Sequence, residues 1–216
     1  MASSGFPLTE TMRGMFLEWN EARESKQYTI AVVNAWPKTI DADRLVRAVE
    51  ESVAAHEIFR MRFVETEGEV RWTIDDSIAI KVKREEMSDA EAGDLARKFV
   101  RGFDAFKGPL ARFRLVESPT GYRLFTEIFH VISDGTTFRR FFHEVEERYD
   151  RQGMSVPEVR PHEDTPFSEY AEAEERSFEG EAYRAAREDA ISRFSGRAMT
   201  VPEENGKGKR ENGNIR

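Results

Sequence analysis

The sequence predicts an α/β fold: an α+β sandwich with a mixed or antiparallel sheet flanked by helices. Apolar residues recur at helical spacing in some stretches and at strand spacing in others, the two kinds alternate along the chain, and turn residues separate them. A length of 216 residues suffices for one substantial core.

Residues 28–36 begin the series as a strand, and residues 41–56 follow as a helix with Leu45, Val46, Val49 and Val53 on one face. Residues 59–65 and 70–74 read as strands joined at Gly68, and residues 78–83 as a third strand of this group. Ser88 and Glu91 have capping-box spacing, which opens a helix over residues 88–101 with Leu95 and Phe99 as its buried positions. Strands over 111–117 and 122–131 are joined by Pro119, Thr120 and Gly121. Phe138, Phe141, Phe142, Val145 and Tyr149 then mark a helix over 138–149. Pro157, Pro161 and Pro166 punctuate a loop that leads to two charged surface helices, 167–178 and 181–194. From Gly196 the chain turns to Gly, Lys, Glu and Asn, too polar to offset its ordering entropy, so residues 1–195 are expected as the folded lobe and 196–216 as a flexible tail.

Composition removes several function classes. The net charge is −8 and the pI about 5.3, the wrong sign for a nucleic-acid or anionic-membrane partner. With no Cys there are no disulfides, thiolate zinc sites or cysteine nucleophiles. The four histidines are scattered without metal-ligand spacing, so no metal is expected, and no Gly-rich phosphate cradle is present. Residues 1–10 lack a basic region followed by an apolar run, and no stretch approaches a membrane span, so the expected setting is the cytoplasm.

Histidine titrates near neutrality and is the natural candidate for moving protons. His162 lies in a loop with no evident partner, His143 on a helix between Phe142 and Glu144 as a boundary residue polar on one side, and His56 at a helix end where the dipole favours its charged form. None of these needs a catalytic role. His130 closes a strand and is followed by Ile132, Ser133, Asp134, Gly135 and a new helix. Alternation puts it on one face with Leu124, Thr126 and Ile128, and puts Phe125, Glu127, Phe129 and Val131 on the other. Two readings stay open: a half-buried strand-end histidine before a turn, or a reactive side chain presented at a strand end.

The segment 129–135 resembles the HHxxxDG motif of condensation domains, with Phe129 in place of the first His. Pro7, Leu8 and Thr9, followed by Met12 and Met15, resemble the family's opening segment. Residues 56–63 resemble its second motif, RHExLRTxF, with Ala55 for the leading Arg, Met61 for the Thr, and Arg60 and Arg62 as supporting positions. Residues 103–110 resemble FDLxxGPL, with Arg112 after it, and residues 167–171 a later helix start.

The resemblance, over about residues 6–195, implies one chloramphenicol-acetyltransferase-like lobe, the N-terminal one, of a nonribosomal peptide synthetase condensation domain. Members are about twice as long, with two lobes and the motif loop on the floor of a tunnel between them. In such domains an amine attacks a thioester. The resemblance implies that His130 positions the nucleophile or takes its proton, that Asp134 holds the loop by an ion pair or turn cap, and that Gly135 supplies a special backbone conformation or close approach. Alternation, which turns Phe129 and His130 to opposite faces, puts Phe129 behind the strand, packed beside Phe125. Implied substrates are phosphopantetheine-tethered thioesters on carrier domains, with no cofactor bound directly. Implied partners are carrier protein domains and a second condensation lobe or another subunit, with a homo-oligomer as a further option, and a lone lobe is expected to expose its cleft. A catalytically silent docking module and a self-contained trimeric CoA-dependent acetyltransferase are the alternatives.

Overall fold

Along residues 111–118, Ala111, Phe113 and Leu115 are buried on one face, while the other carries the half-buried Arg112 and Arg114 and then the buried Val116. This strand lies inside a four-stranded sheet. The computed structural model, which describes residues 5–23, 25–151 and 165–195, places β1 (Thr29–Trp36) at one edge, followed by β6 (Gly121–Phe129), β5 (Ala111–Ser118) and β4 (Val82–Glu86). Two ladders are antiparallel and the β4–β5 ladder is parallel, which makes the sheet mixed. β2 (Met61–Thr66) and β3 (Glu69–Ile74) form a separate hairpin. Its turn residues Glu67 and Gly68 have φ of 56° and 83°, the left-handed pair a tight hairpin requires.

Helices cover both faces of the sheet. On one side α2 (Ala42–Ala55) buries Leu45, Val49 and Val53, and α4 (Gly135–Arg151) buries Phe141 and Val145, all in one core with Phe113, Leu124 and Ile128 of the sheet. On the other, α3 (Asp89–Lys98) brings Ala92 against Val116 and Phe125. Its capping box forms as predicted, but Ala92 is the buried residue, and Leu95 and Phe99 only lean on that small cluster. α1 (Glu10–Glu21) is not among the predicted elements. Its signals are Thr9, which accepts from the Met12 amide at 3.3 Å, and the spacing of the buried Met12, Phe16 and Trp19.

Two further boundaries move. The strand expected over 78–83 begins only at Val82, because Ile78 donates to the Asp75 carbonyl in a turn and Ile80 packs against the core from a loop. Phe59 lies in a 3-10 turn, Glu57–Arg60, ahead of β2. α5 (Phe167–Ser177) starts where Glu57 Oε1 accepts from the Ser168 amide at 2.8 Å, and α6 (Glu181–Phe194) buries none of its residues. By internal contacts the chain divides into two compact units, Met1–Glu175 and Arg176–Arg216. Pro157, Pro161, His162 and the tail expected over 196–216 lie outside the described residues.

α2 and α4 are joined by a buried polar network. His56, the C-cap of α2, has Nε2 2.9 Å from Glu144 Oε2, and Arg148 donates to Glu144 Oε1 from Nε at 3.1 Å and Nη2 at 2.9 Å. All three residues are buried, so His56 is an interior hydrogen-bond partner and not a helix-end charge facing solvent. Burial pushes the Glu144 carboxyl upward, but the hydrogen bonds and charges of His56 and Arg148 outweigh it and hold the group below the usual glutamate range.

Glu144→Ala leaves Arg148 buried without its carboxylate and is expected to destabilise the fold by about 3–5 kcal/mol in urea unfolding. The lowered pKa gives a stabilisation present above the ordinary glutamate value of about 4.3 and lost as pH falls through the folded value. Stability therefore drops below about pH 4 in the native chain, and Glu144→Gln shrinks that acid-side drop. An alanine variant as stable as the native chain would show that the network carries no stability.

Candidate functional site

Pairing of β1 with β6 runs one residue past the strand, since the His130 amide donates to the Tyr28 carbonyl at 2.7 Å. The chain then closes into a 3-10 turn, His130–Ile132, with the Ser133 amide donating back to the His130 carbonyl at 3.3 Å. Val131 and Ile132 are buried and anchor the turn. Strand alternation therefore stops at Phe129, and His130 heads a turn instead of extending the face of Leu124 and Ile128. Phe129 is 2% exposed, with ring centroids 5.9 Å from Trp19 and 5.8 Å from Phe103. Phe125 packs instead with Phe99 at 5.1 Å, in the other cluster, so the expected stacking of Phe129 beside Phe125 is replaced by contact with Trp19 of α1.

The His130 ring is partly buried, and its Nδ1 is buried with no hydrogen-bond partner among the described residues. An unsatisfied buried polar atom costs about 1–3 kcal/mol and calls for a ligand, a water or a function.

Asp134 acts as the N-cap of α4. Its Oδ1 accepts from the amides of Thr137 at 2.7 Å and Thr136 at 3.0 Å and from Thr137 Oγ1 at 2.8 Å. The Thr137 amide bond is the main reason the Asp134 carboxyl lies below its usual range. Of the two roles expected for Asp134, capping is the one these hydrogen bonds describe. Gly135 is exposed as the first residue of α4, and a Cβ placed there would meet nothing within 4 Å. Among the described residues Gly135 shows neither a left-handed backbone nor a close approach. Arg62 donates to Asp75 Oδ2 at 2.7 Å and Arg60 lies 3.2 Å from Asp76, so both hold the loop after β3 and not the His130 turn. Hydrogen bonds from Ser77 and then Arg62 lower the Asp75 carboxyl to about 2.

A cavity of about 360 Å³ opens beside the turn. Its apolar walls come from Ile58 and Phe59 before β2, Ile128 and Ile132 around the turn, Phe138 and Phe141 of α4, and Phe167 and Tyr170 of α5. His56, Ser133, Thr137 and Glu144 add a polar side, while His130 is not one of the lining residues. Ser133 is 9% exposed, and its Oγ has no partner among the described residues. His143 is exposed on α4, its Nε2 3.7 Å from Glu147.

Sequence reasoning thus found the turn but missed the wall beside it. The available signal is in α4, where Glu144 and Arg148 occupy the same i, i+3, i+4, i+7 stripe as Phe141 and Val145. Charged residues at core positions of a helix need buried partners.

Residues 3–190 match the family described as Condensation domain. The chain is 27% identical over 200 residues to surfactin synthase subunit 1 of Bacillus subtilis (strain 168), covering 91% of this chain and 5% of that protein. It is 24% identical over 197 residues to tyrocidine synthase 2 of Brevibacillus parabrevis, again 91% of this chain and 5% of the relative. Among solved structures, the starter condensation domain of rhizomide synthetase RzmA superposes with a TM-score of 0.71 at 14% identity, over 90% of this chain and 48% of that one. The complex of the X-domain and OxyB from teicoplanin biosynthesis gives 0.74 at 20% identity, over 92% and 45%. The chain therefore spans about half the length of these solved chains and a small part of the curated synthetases, and the structural likenesses show the fold.

Replacing Asp134 with Ala removes the α4 cap and is expected to cost about 1 kcal/mol in thermal or urea unfolding, with Asp134→Asn retaining most of it. Gly135→Ala, by contrast, is expected to stabilise by about 0.4–1 kcal/mol, because its site is open and already helical. Destabilisation by Gly135→Ala would restore the close-approach role.

Proposed function

Because the chain belongs to the condensation-domain family, we propose that it is one lobe of an acyltransferase that forms an amide or ester from a thioester-bound acyl group, working with a second lobe. The observation that carries this reading is the juxtaposition at the end of β6. His130, partly buried with a ring nitrogen unpartnered among the described residues, heads the turn whose later residues, Ile132 and Ser133, wall an apolar cavity.

In the proposed step His130 accepts the proton of the attacking amine or hydroxyl as that atom bonds to the thioester carbonyl carbon. The tetrahedral intermediate expels the thiolate, and the imidazolium returns the proton to the sulfur, which leaves a thiol. Only a neutral imidazole accepts the proton. The cavity receives the acyl chain, where each buried CH₂ contributes about 0.8 kcal/mol. A mutant RzmA starter domain has been solved with C8-CoA and Leu-SNAC, which supports thioester donors, and the synthetase relatives support carrier domains as the partners that deliver phosphopantetheine thioesters. No helix among the described residues is long and apolar enough to cross a membrane.

A second reading, a docking module without transfer activity, draws on Phe129 in place of the first motif His and on the likeness to an X-domain solved in complex with OxyB.

With a second condensation lobe supplied and donor loading verified, His130→Ala is expected to lower the product-formation rate by about 100-fold or more. His143→Ala, exposed on α4, is expected to stay near the native rate. Equal rates for His130→Ala and the native chain would leave the docking reading in place.

A further inference from the structure

In a chain with a net charge of −8, a cluster of cations is a local feature that calls for a reason. One such cluster lies on the α3 side of the sheet. Arg112 and Arg114 share the β5 face of Val116, and the register sets Arg112 opposite Glu127 of β6 and Arg114 beside Lys83 of β4. α3 covers the other end of that face, where Ala92 meets Val116 and Phe125. β4 pairs from Val82, opposite Phe113, and ahead of that point Ala79, Ile80 and Lys81 wall a cavity of about 350 Å³ that Arg112 and Arg114 also line. This cavity shares no lining residue with the one beside the His130 turn.

Among the described residues five cations line it, Lys81, Lys83, Arg101, Arg112 and Arg114, against one carboxylate, Glu127. Their ion pairs do not balance. Glu127 serves both Arg101 and Arg112, Glu85 serves both Lys83 and Arg114, and Glu50 serves Lys81. Three carboxylates to five cations leave two positive charges. The crowding is felt at Arg112. Burial pushes its guanidinium below the ordinary arginine range, Glu127 opposes that, and the charges of Arg101 and Arg114 add to it. Its buried Nε has no hydrogen-bond partner among the described residues.

A bound anion relieves this crowding, and the walls narrow its kind. Guanidinium groups present paired N–H donors that match phosphate oxygens. Two excess charges suit a phosphate monoester, which carries close to two negative charges at neutral pH, better than a single carboxylate. Phe99, Phe125 and Ile80 add apolar surface to the same cavity, whose volume is in the range of sites for small organic ligands. We propose that this cavity binds an organic phosphate monoester, its phosphate among Lys83, Arg101, Arg112 and Arg114 and its apolar part against Phe99 and Ile80. The inference stands apart from the acyl-transfer reading, because the two cavities are built from different residues.

Calorimetric titration of the full chain in low-salt buffer at about pH 7.5 tests the inference, with phenyl phosphate, its singly charged methyl diester and inorganic phosphate as probes. Phenyl phosphate is expected to bind with a Kd of roughly 1 mM or below. The diester, with one charge fewer, and inorganic phosphate, without the ring, are each expected to bind about tenfold more weakly. Arg101→Gln and Lys83→Gln alter exposed side chains and are each expected to weaken phenyl phosphate about three- to tenfold, with unfolding curves confirming that both variants fold. Lys38→Gln, at the Glu117 end of β5, is expected to leave binding unchanged. Absence of phenyl phosphate binding, undiminished binding in both Arg101→Gln and Lys83→Gln, or an equal loss in Lys38→Gln overturns the site. Equal binding of phenyl phosphate with either the diester or inorganic phosphate overturns the proposed ligand.

Discussion

The carboxylate of Glu144 is the point on which this side of the molecule turns. It sits on the core stripe of α4, between Phe141 and Val145, where an apolar residue would be expected. A charge in that place survives only if it is paired and hydrogen-bonded. Arg148, one turn along, supplies the cation, and His56, 88 residues away, supplies the third hydrogen bond. Because His56 is the C-cap of α2 and Glu144 lies mid-way along α4, satisfying the carboxylate sets the two helices side by side. The cavity wall is a consequence, since both residues line it.

The other determinant is how β6 stops. Had the strand continued, His130 would have shared a face with Leu124 and Ile128, both 1% exposed and part of the main core. The 3-10 turn takes it out of that alternation, buries Val131 and Ile132 as anchors, and delivers the chain to Asp134, whose side chain caps α4. Sheet hydrogen bonding through the Tyr28 carbonyl holds the start of the turn, and Phe129, wedged against Trp19 and Phe103, holds it from beneath. The replacement of a motif histidine by Phe129 thus falls at a position that is wholly core in this chain, where an aromatic ring contributes packing.

This chain of the condensation-domain family has a cavity open beside the motif turn, with apolar walls and one polar side. The solved relatives that share the fold are about twice as long.

Strand and helix identity were legible from the chain because period-two and period-3.6 burial are local properties, as the hairpin at Glu67 and Gly68 and the capping box at Ser88 and Glu91 illustrate. Family membership was legible for the same reason: its motifs are short runs, at 56–63, 103–110 and 129–135, in a set order. Boundaries were less so, because hydrogen bonds of remote origin decided them. Ile78–Ile80 alternates like a strand but answers to the Asp75 turn and the core, and His130 continues a strand pattern but answers to Ser133. The partners of Glu144, the unsatisfied hydroxyl of Ser133 and the helix across from each strand belong to tertiary structure alone. Sequence spacing states which face of an element is buried; which groups meet there depends on how elements far apart in the chain pack, and a buried charge or hydroxyl acquires its role only from that encounter.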